Sequence, residues 1–232
     1  RINLRSIPSE PAFEIKTTDK GAFTLHQMAS IGISGRWDKL AMGYRKSLDN
    51  GINWSPVKMV LELDHGKNDG ASMQGNMLQT SNGELIFVTD DEGDSISNTG
   101  SLVISSDNGE SWQRRGHSTS TPGDKRIAGL HAAVVEIGDL NQDDQPDLMA
   151  IARDKGEYFS GKAPQSISID GGNTWSRSPS VFPSIGTGQR MALVLLRYSK
   201  HKLQKGKNHP ILFISFANDS IIAKDGDGKL NQ

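Results

Sequence analysis

Apolar and β-branched residues fall along the middle of this chain in short runs, each closed by glycine, asparagine, aspartate or serine. That is the pattern of strands separated by turns. The runs fall into groups of four. One group reads Asn76–Thr80, then Glu84–Asp90 after a Ser81-Asn82-Gly83 turn, then Ser101–Ser105 and Trp112–Gly116. The next reads His131–Ile137, Leu148–Arg153, Gln165–Ile169 and Trp175–Ser180. Arg190–Tyr198 and Pro210–Phe216 open a fourth group, and Leu40–Lys46 fits as the third strand of an earlier, partial one. The pattern predicts an all-β chain of four-stranded antiparallel units.

One motif punctuates these groups. Ser47-Leu48-Asp49-Asn50-Gly51-Ile52-Asn53-Trp54 is answered by Ser105-Ser106-Asp107-Asn108-Gly109-Glu110-Ser111-Trp112 and by Ser168-Ile169-Asp170-Gly171-Gly172-Asn173-Thr174-Trp175. In each copy the aspartate accepts hydrogen bonds from backbone donors just ahead, glycine supplies a positive φ, and serine adds a local bond. The tryptophan opens the next strand, where its ring can cover the turn and its indole N–H needs an acceptor. The motif predicts a hairpin turn between the third and fourth strands of each unit.

The twelve fixed residues Ser47, Asp49, Gly51, Trp54, Ser105, Asp107, Gly109, Trp112, Ser168, Asp170, Gly172 and Trp175 resemble the Asp-boxes of the sialidase-like, BNR-repeat β-propeller families. The resemblance implies a structural role for the boxes and a propeller of four-stranded blades. Propellers close with typically four to eight blades, and sialidase-like ones have about six. Residues 1–232 are read as one propeller domain with blades at about 12–66, 67–122, 123–184 and 185–232. This is expected to be a portion of a longer propeller.

Strand order inside a blade separates two faces. If the inner strand starts at the upper face, the box turn lies below. The upper funnel is then lined by Gln74 and Asn76, Asp90 and Asp91, Arg126 and His131, Arg153 and Asp154, Gln189 and Arg190, and Asn218 with Asp219. Arginine offers a planar fork for a carboxylate, so arginines converging there suit an acidic sugar. The stretch from Arg126 to His131, followed by Ala152-Arg153-Asp154, is similar to a sialidase pattern in which an Arg-Ile-Pro segment precedes a strand ending near Ala-x-Arg. Here Ala128 replaces the proline. The resemblance implies a carboxylate-binding Arg126 and an acid/base role for Asp154; the Tyr–Glu nucleophile pair of sialidases is not located. A second reading follows the polysaccharide lyases of the same superfamily, which abstract a proton beside a uronate carboxylate. His131, Tyr158 and Arg190 would supply the parts for that. A non-catalytic glycan-binding propeller is the third reading.

Composition narrows the partners. With 26 basic and 27 acidic residues the chain is close to neutral, which argues against a nucleic-acid footprint. It has no apolar run long enough for a bilayer span. Zero cysteine excludes disulfides, thiolate metal sites and a cysteine nucleophile. The expected partner is an acidic oligosaccharide or polysaccharide, met in a secreted, periplasmic or cell-surface setting, and no export leader is visible. No cofactor is expected to be required. Asp139, Asn141, Asp143 and Asp147 stand at the spacing of a calcium loop, although Asp144 occupies the glycine position and no bidentate glutamate follows. Calcium held there is expected to be structural, on the lower face. No Gly-rich phosphate loop, zinc helix or serine elbow is present.

Overall fold

The computed structural model describes residues 12–17, 23–32, 40–61, 71–91, 99–116, 125–138, 143–153, 159, 161–185, 191–195 and 211–215. Among them there is no helix long and apolar enough to cross a membrane. The strands are grouped in sheets that follow one another in sequence. The first contains β1 (Ala12–Thr17), β2 (Phe23–Gly32), β3 (Leu40–Ser47) and β4 (Lys58–Leu61), antiparallel and in chain order. The second contains β5 (Ala71–Gln79), β6 (Leu85–Asp91), β7 (Thr99–Ser105) and β8 (Gln113–Arg115). A short strand β9 (Ile127–Ala128) extends its outer edge by pairing with β7. The third runs β10 (Leu130–Gly138), β11 (Asp147–Arg153), β12 (Lys162–Ser168) and β13 (Ser176–Pro183), and a two-stranded sheet joins β14 (Met191–Leu195) to β15 (Ile211–Ser215).

The blades stack face to face, and period-2 alternation does the sorting. Ile86, Val88, Leu102 and Ile104 of the second blade pack with Ala132, Val134, Leu148, Ala150 and Ala152 of the third, around Ile127 and Trp175. The alternate positions Phe87 and Val103 turn the other way, onto Met28, Met42 and Tyr44 of the first blade. Ala133, Val135, Ile151 and Ala163 of the third blade meet Met191 and Leu193 of the next sheet. Middle strands therefore have both faces covered, and β7 is buried at every position. Truncating a seam residue such as Leu102 to alanine costs about 2–5 kcal/mol at a site this enclosed.

The fold is thus the all-β arrangement of four-stranded antiparallel blades that the sequence pattern predicts, with one difference. The first blade, expected to be partial, has four strands. Strand β2 escapes the pattern because its buried positions include Thr24, His26 and Ser30 beside Met28, so the inward face reads as polar. His26 is accommodated by a 2.7 Å hydrogen bond between Nδ1 and the Tyr44 hydroxyl.

Registers fix the two ends of the blades. At one end Leu130 lies opposite Arg153, Asp90 opposite Gly100, and Thr99 opposite Ala128. At the other, Ser105 lies opposite Leu85, Ser168 opposite Leu148, and Gly138 opposite Asp147. The boxes begin at this second end.

Candidate functional site

The box end is accounted for by turn closure. In each box the serine Oγ donates to the aspartate Oδ1, at 2.8 Å in the first copy and 2.7 Å in the other two, and accepts the N–H of the fifth-position glycine at 2.9, 2.8 and 2.8 Å. Two further features of the motif emerge from its geometry. Asn50, Asn108 and Gly171 adopt φ of +61°, +59° and +66° directly before a glycine that is also left-handed. That pair of conformations makes a type I′ turn and explains Asn-Gly and Gly-Gly. The seventh position is always a polar donor: Asn53, Ser111 and Thr174 give both a backbone N–H and a side-chain hydrogen to the aspartate. These bonds hold Asp49 and Asp107 well below the usual carboxylate range. Burial acts upward on Asp170, yet the bonds from Thr174 and Ser168 keep it low as well.

The tryptophans differ. Trp54 and Trp112 donate their indole N–H to Gly51 and Gly109 carbonyls, at 3.1 and 3.2 Å. Trp112 also tilts against Tyr44 and Phe87, with centroids 5.0 and 5.5 Å apart. Trp175 is buried in the seam between the second and third blades, and its backbone N–H donates to the Lys125 carbonyl at 3.0 Å.

At the opposite end the chain brings together residues that no local motif connects. Asp90, at the end of β6, is 1% exposed. Its Oδ1 accepts the backbone N–H of His131 at 2.7 Å, and its Oδ2 lies 3.3 Å from His131 Nε2. His131 is 8% exposed and opens the inner strand of the third blade with φ +52°, a left-handed conformation that a non-glycine residue rarely takes. Arg153 ends β11 opposite Leu130, beside this pair in the sheet, and is half-buried. Arg126 is 1% exposed, and its carbonyl accepts Arg177 Nε at 2.8 Å. The segment between Arg126 and His131 is tied down further by Ala128 N–H, which donates to Ser166 Oγ at 3.1 Å. Gly129 sits against the Arg153 carbonyl so closely that a Cβ would lie 2.4 Å from its oxygen.

Of the residues singled out in the sequence, Asp90, His131 and Arg153 lie at the box-free end, while Arg126 follows Lys125, whose carbonyl takes the N–H of the box tryptophan Trp175. Asp154, Tyr158, Gln189, Arg190, Asn218 and Asp219 lie outside the described residues. Gln74 and Asn76 lie within β5, across a register shift between Met73 and Met77, rather than before it. Asp91 closes β6. In the acidic loop, Asp139 and Asn141 also lie outside the described residues. Asp143 is exposed and its Oδ1 accepts the Gln145 N–H at 2.9 Å, while Asp147 is buried at the box end of β11. Asp144, at the glycine position of a calcium loop, itself takes φ +63°. Among the described residues no three metal-ligating side chains converge.

No family model and no curated protein matches the chain by sequence. Solved structures do match. A Hadza microbial sialidase superposes with TM-score 0.55 at 19% identity, over 88% of this chain and 39% of that one. The NanB sialidase of Streptococcus pneumoniae gives 0.53 at 20%, over 86% and 29%. An α-L-arabinofuranosidase of Fusarium graminearum gives 0.50 at 12%, over 94% and 65%. The chain thus spans less than two thirds of each structure it resembles. What the likeness establishes is the fold, a β-propeller of the architecture found in sialidases and related glycoside hydrolases.

Proposed function

We propose that this chain is part of a carbohydrate-active enzyme that hydrolyses a terminal acidic sugar at the end of its blades opposite the boxes. The observation that carries this reading is the pairing of His131 with Asp90 across two blades, beside Arg153. The box end is occupied by turn closure, whereas these residues lie at the end that carries no box. Arg153 supplies a planar cation for the sugar carboxylate. Arg190, just before β14 in sequence, is the second candidate, and Asp154 and Tyr158 follow Arg153 in the chain. Arg126, the arginine that the resemblance assigns to the sugar carboxylate, is 1% exposed. The partner is an acidic oligosaccharide, and the setting is extracellular or periplasmic.

A histidine paired with a carboxylate also favours a second reading, β-elimination on a uronate polymer with His131 as the base. One assay separates the two. The full chain is incubated with sialosides and with ulvan or related polyuronates, while free sugar and the absorbance of unsaturated product are followed. Free acidic sugar supports hydrolysis, and unsaturated product supports elimination instead. Neither signal, with binding retained, overturns both in favour of a glycan-binding propeller.

A further inference from the structure

His131 carries two constraints that one neighbouring side chain meets. Its backbone is left-handed at the register shift between Leu130 and Ala133 that opens an inner strand, a conformation whose strain the surroundings must offset. Its ring is nearly enclosed. Asp90, from the adjacent blade, engages both: one carboxylate oxygen takes the backbone N–H at 2.7 Å, and the other faces Nε2 at 3.3 Å. The first contact is a short charge-assisted hydrogen bond. The second is a looser electrostatic pairing, and it still has a sign. A carboxylate oxygen only accepts, so a neutral imidazole facing it keeps its proton on Nε2 and its lone pair on Nδ1.

We infer that Asp90 is a positioning residue for His131, fixing both its left-handed backbone and its Nε2–H tautomer, so that Nδ1 is the atom that exchanges a proton with the glycan. The exchange at Nδ1 rests on the function proposed above; the tautomer does not. In elimination Nδ1 takes one proton from the carbon beside a uronate carboxylate and passes it to the departing glycosidic oxygen as its bond to carbon breaks. In hydrolysis the order is reversed: the protonated ring gives its Nδ1 proton to the departing oxygen, and Nδ1 then takes one from the water that adds to the sugar carbon. Asp90 offsets the positive charge whenever the ring carries both protons.

The test is the ring nitrogen spectrum of the ¹⁵N-labelled full chain at pH about 8, where imidazoles of ordinary pKa are neutral. A His131→Gln sample assigns the resonances. The wild-type chain is expected to show a proton on Nε2 of His131 and none on Nδ1. In Asp90→Asn the amide oxygen still accepts the backbone N–H while its NH₂ faces the ring, so the proton moves to Nδ1. Melting temperature stays close to wild type, and kcat on the active glycan falls on the order of 100-fold or more with KM little changed, as for other wrong-tautomer histidines. A proton on Nδ1 in the wild-type chain overturns the assignment without any variant. So does an unchanged tautomer in Asp90→Asn. A reversed tautomer in a chain that acts on no glycan upholds the positioning role and removes the function built on it.

Discussion

The two ends of the blades are built by opposite means. At the box end each turn is closed within eight consecutive residues, and the same bonds recur at nearly the same lengths in all three copies. At the other end the contacts reach across blades. His131 N–H finds Asp90 at a separation of 41 positions, and Ala128 finds Ser166 at 38. The circuit inside a box can be copied from blade to blade. The pairing of Asp90 with His131 has no such local template, which is why the search for chemistry belongs there.

Glycine substitutions break this comparison most severely. In Gly129→Ala the new Cβ meets a backbone oxygen at 2.4 Å with φ +86°, and backbone cannot swing aside. A loss of about 3 kcal/mol or more is expected in urea unfolding. In Gly172→Ala the nearest atom is the end of the Leu102 side chain, 2.3 Å away, which can move. A loss of about 1–2 kcal/mol is expected there; equal losses at both sites would deny the box-free end its rigidity.

A pair of substitutions sharpens the contrast further. Arg153→Ala should lower kcat/KM on the acidic glycan about 100-fold, or about 2.7 kcal/mol, with little change in melting temperature. Asp170→Ala should do the reverse, removing about 1–3 kcal/mol of stability with kcat/KM intact. Steady-state kinetics and thermal unfolding on both variants decide it, and a loss of activity in Asp170→Ala would place chemistry at the wrong end.

Acid should strike the box end first. Asp49 and Asp107 have folded-state pKa values depressed by their hydrogen bonds, so the stability they contribute is present above the unfolded value of about 4. It is lost as pH falls through the folded value. Unfolding midpoints should therefore decline from pH about 5 downward, and Asp107→Asn should flatten that decline. The smallest effect concerns the type I′ turn. Asn108→Ala should cost about 1 kcal/mol, because alanine resists φ +59°, and Asn108→Gly should stay within about 0.5 kcal/mol.

This division also explains what could be read from the residues alone. Ser-x-Asp-x-Gly-x-x-Trp is visible because everything it needs lies inside it, and the seventh-position donors Asn53, Ser111 and Thr174 stand in the same eight-residue segments. The four-stranded antiparallel groups follow from strand periodicity. The partner of Asp90 is not legible, because the contact depends on how the second blade is set against the third. Strand β2 was hidden by a histidine on its buried face. The left-handed backbone of His131 has no sequence signature, since left-handed positions usually advertise themselves as glycine or asparagine.

The boxes do not lean on their own blades alone. A Cβ on Gly109 would collide with the Tyr44 ring, and one on Gly172 would collide with Leu102, each a residue of the preceding blade. Lys46 reaches forward to Glu110 at 2.5 Å, and Arg115 reaches the Gly171 carbonyl at 2.9 Å while paired with Glu84. Every such contact joins a new turn to strands that left the ribosome earlier. A nascent chain can therefore dock its blades one after another in the order of synthesis, each latched by its last hairpin to a surface already made.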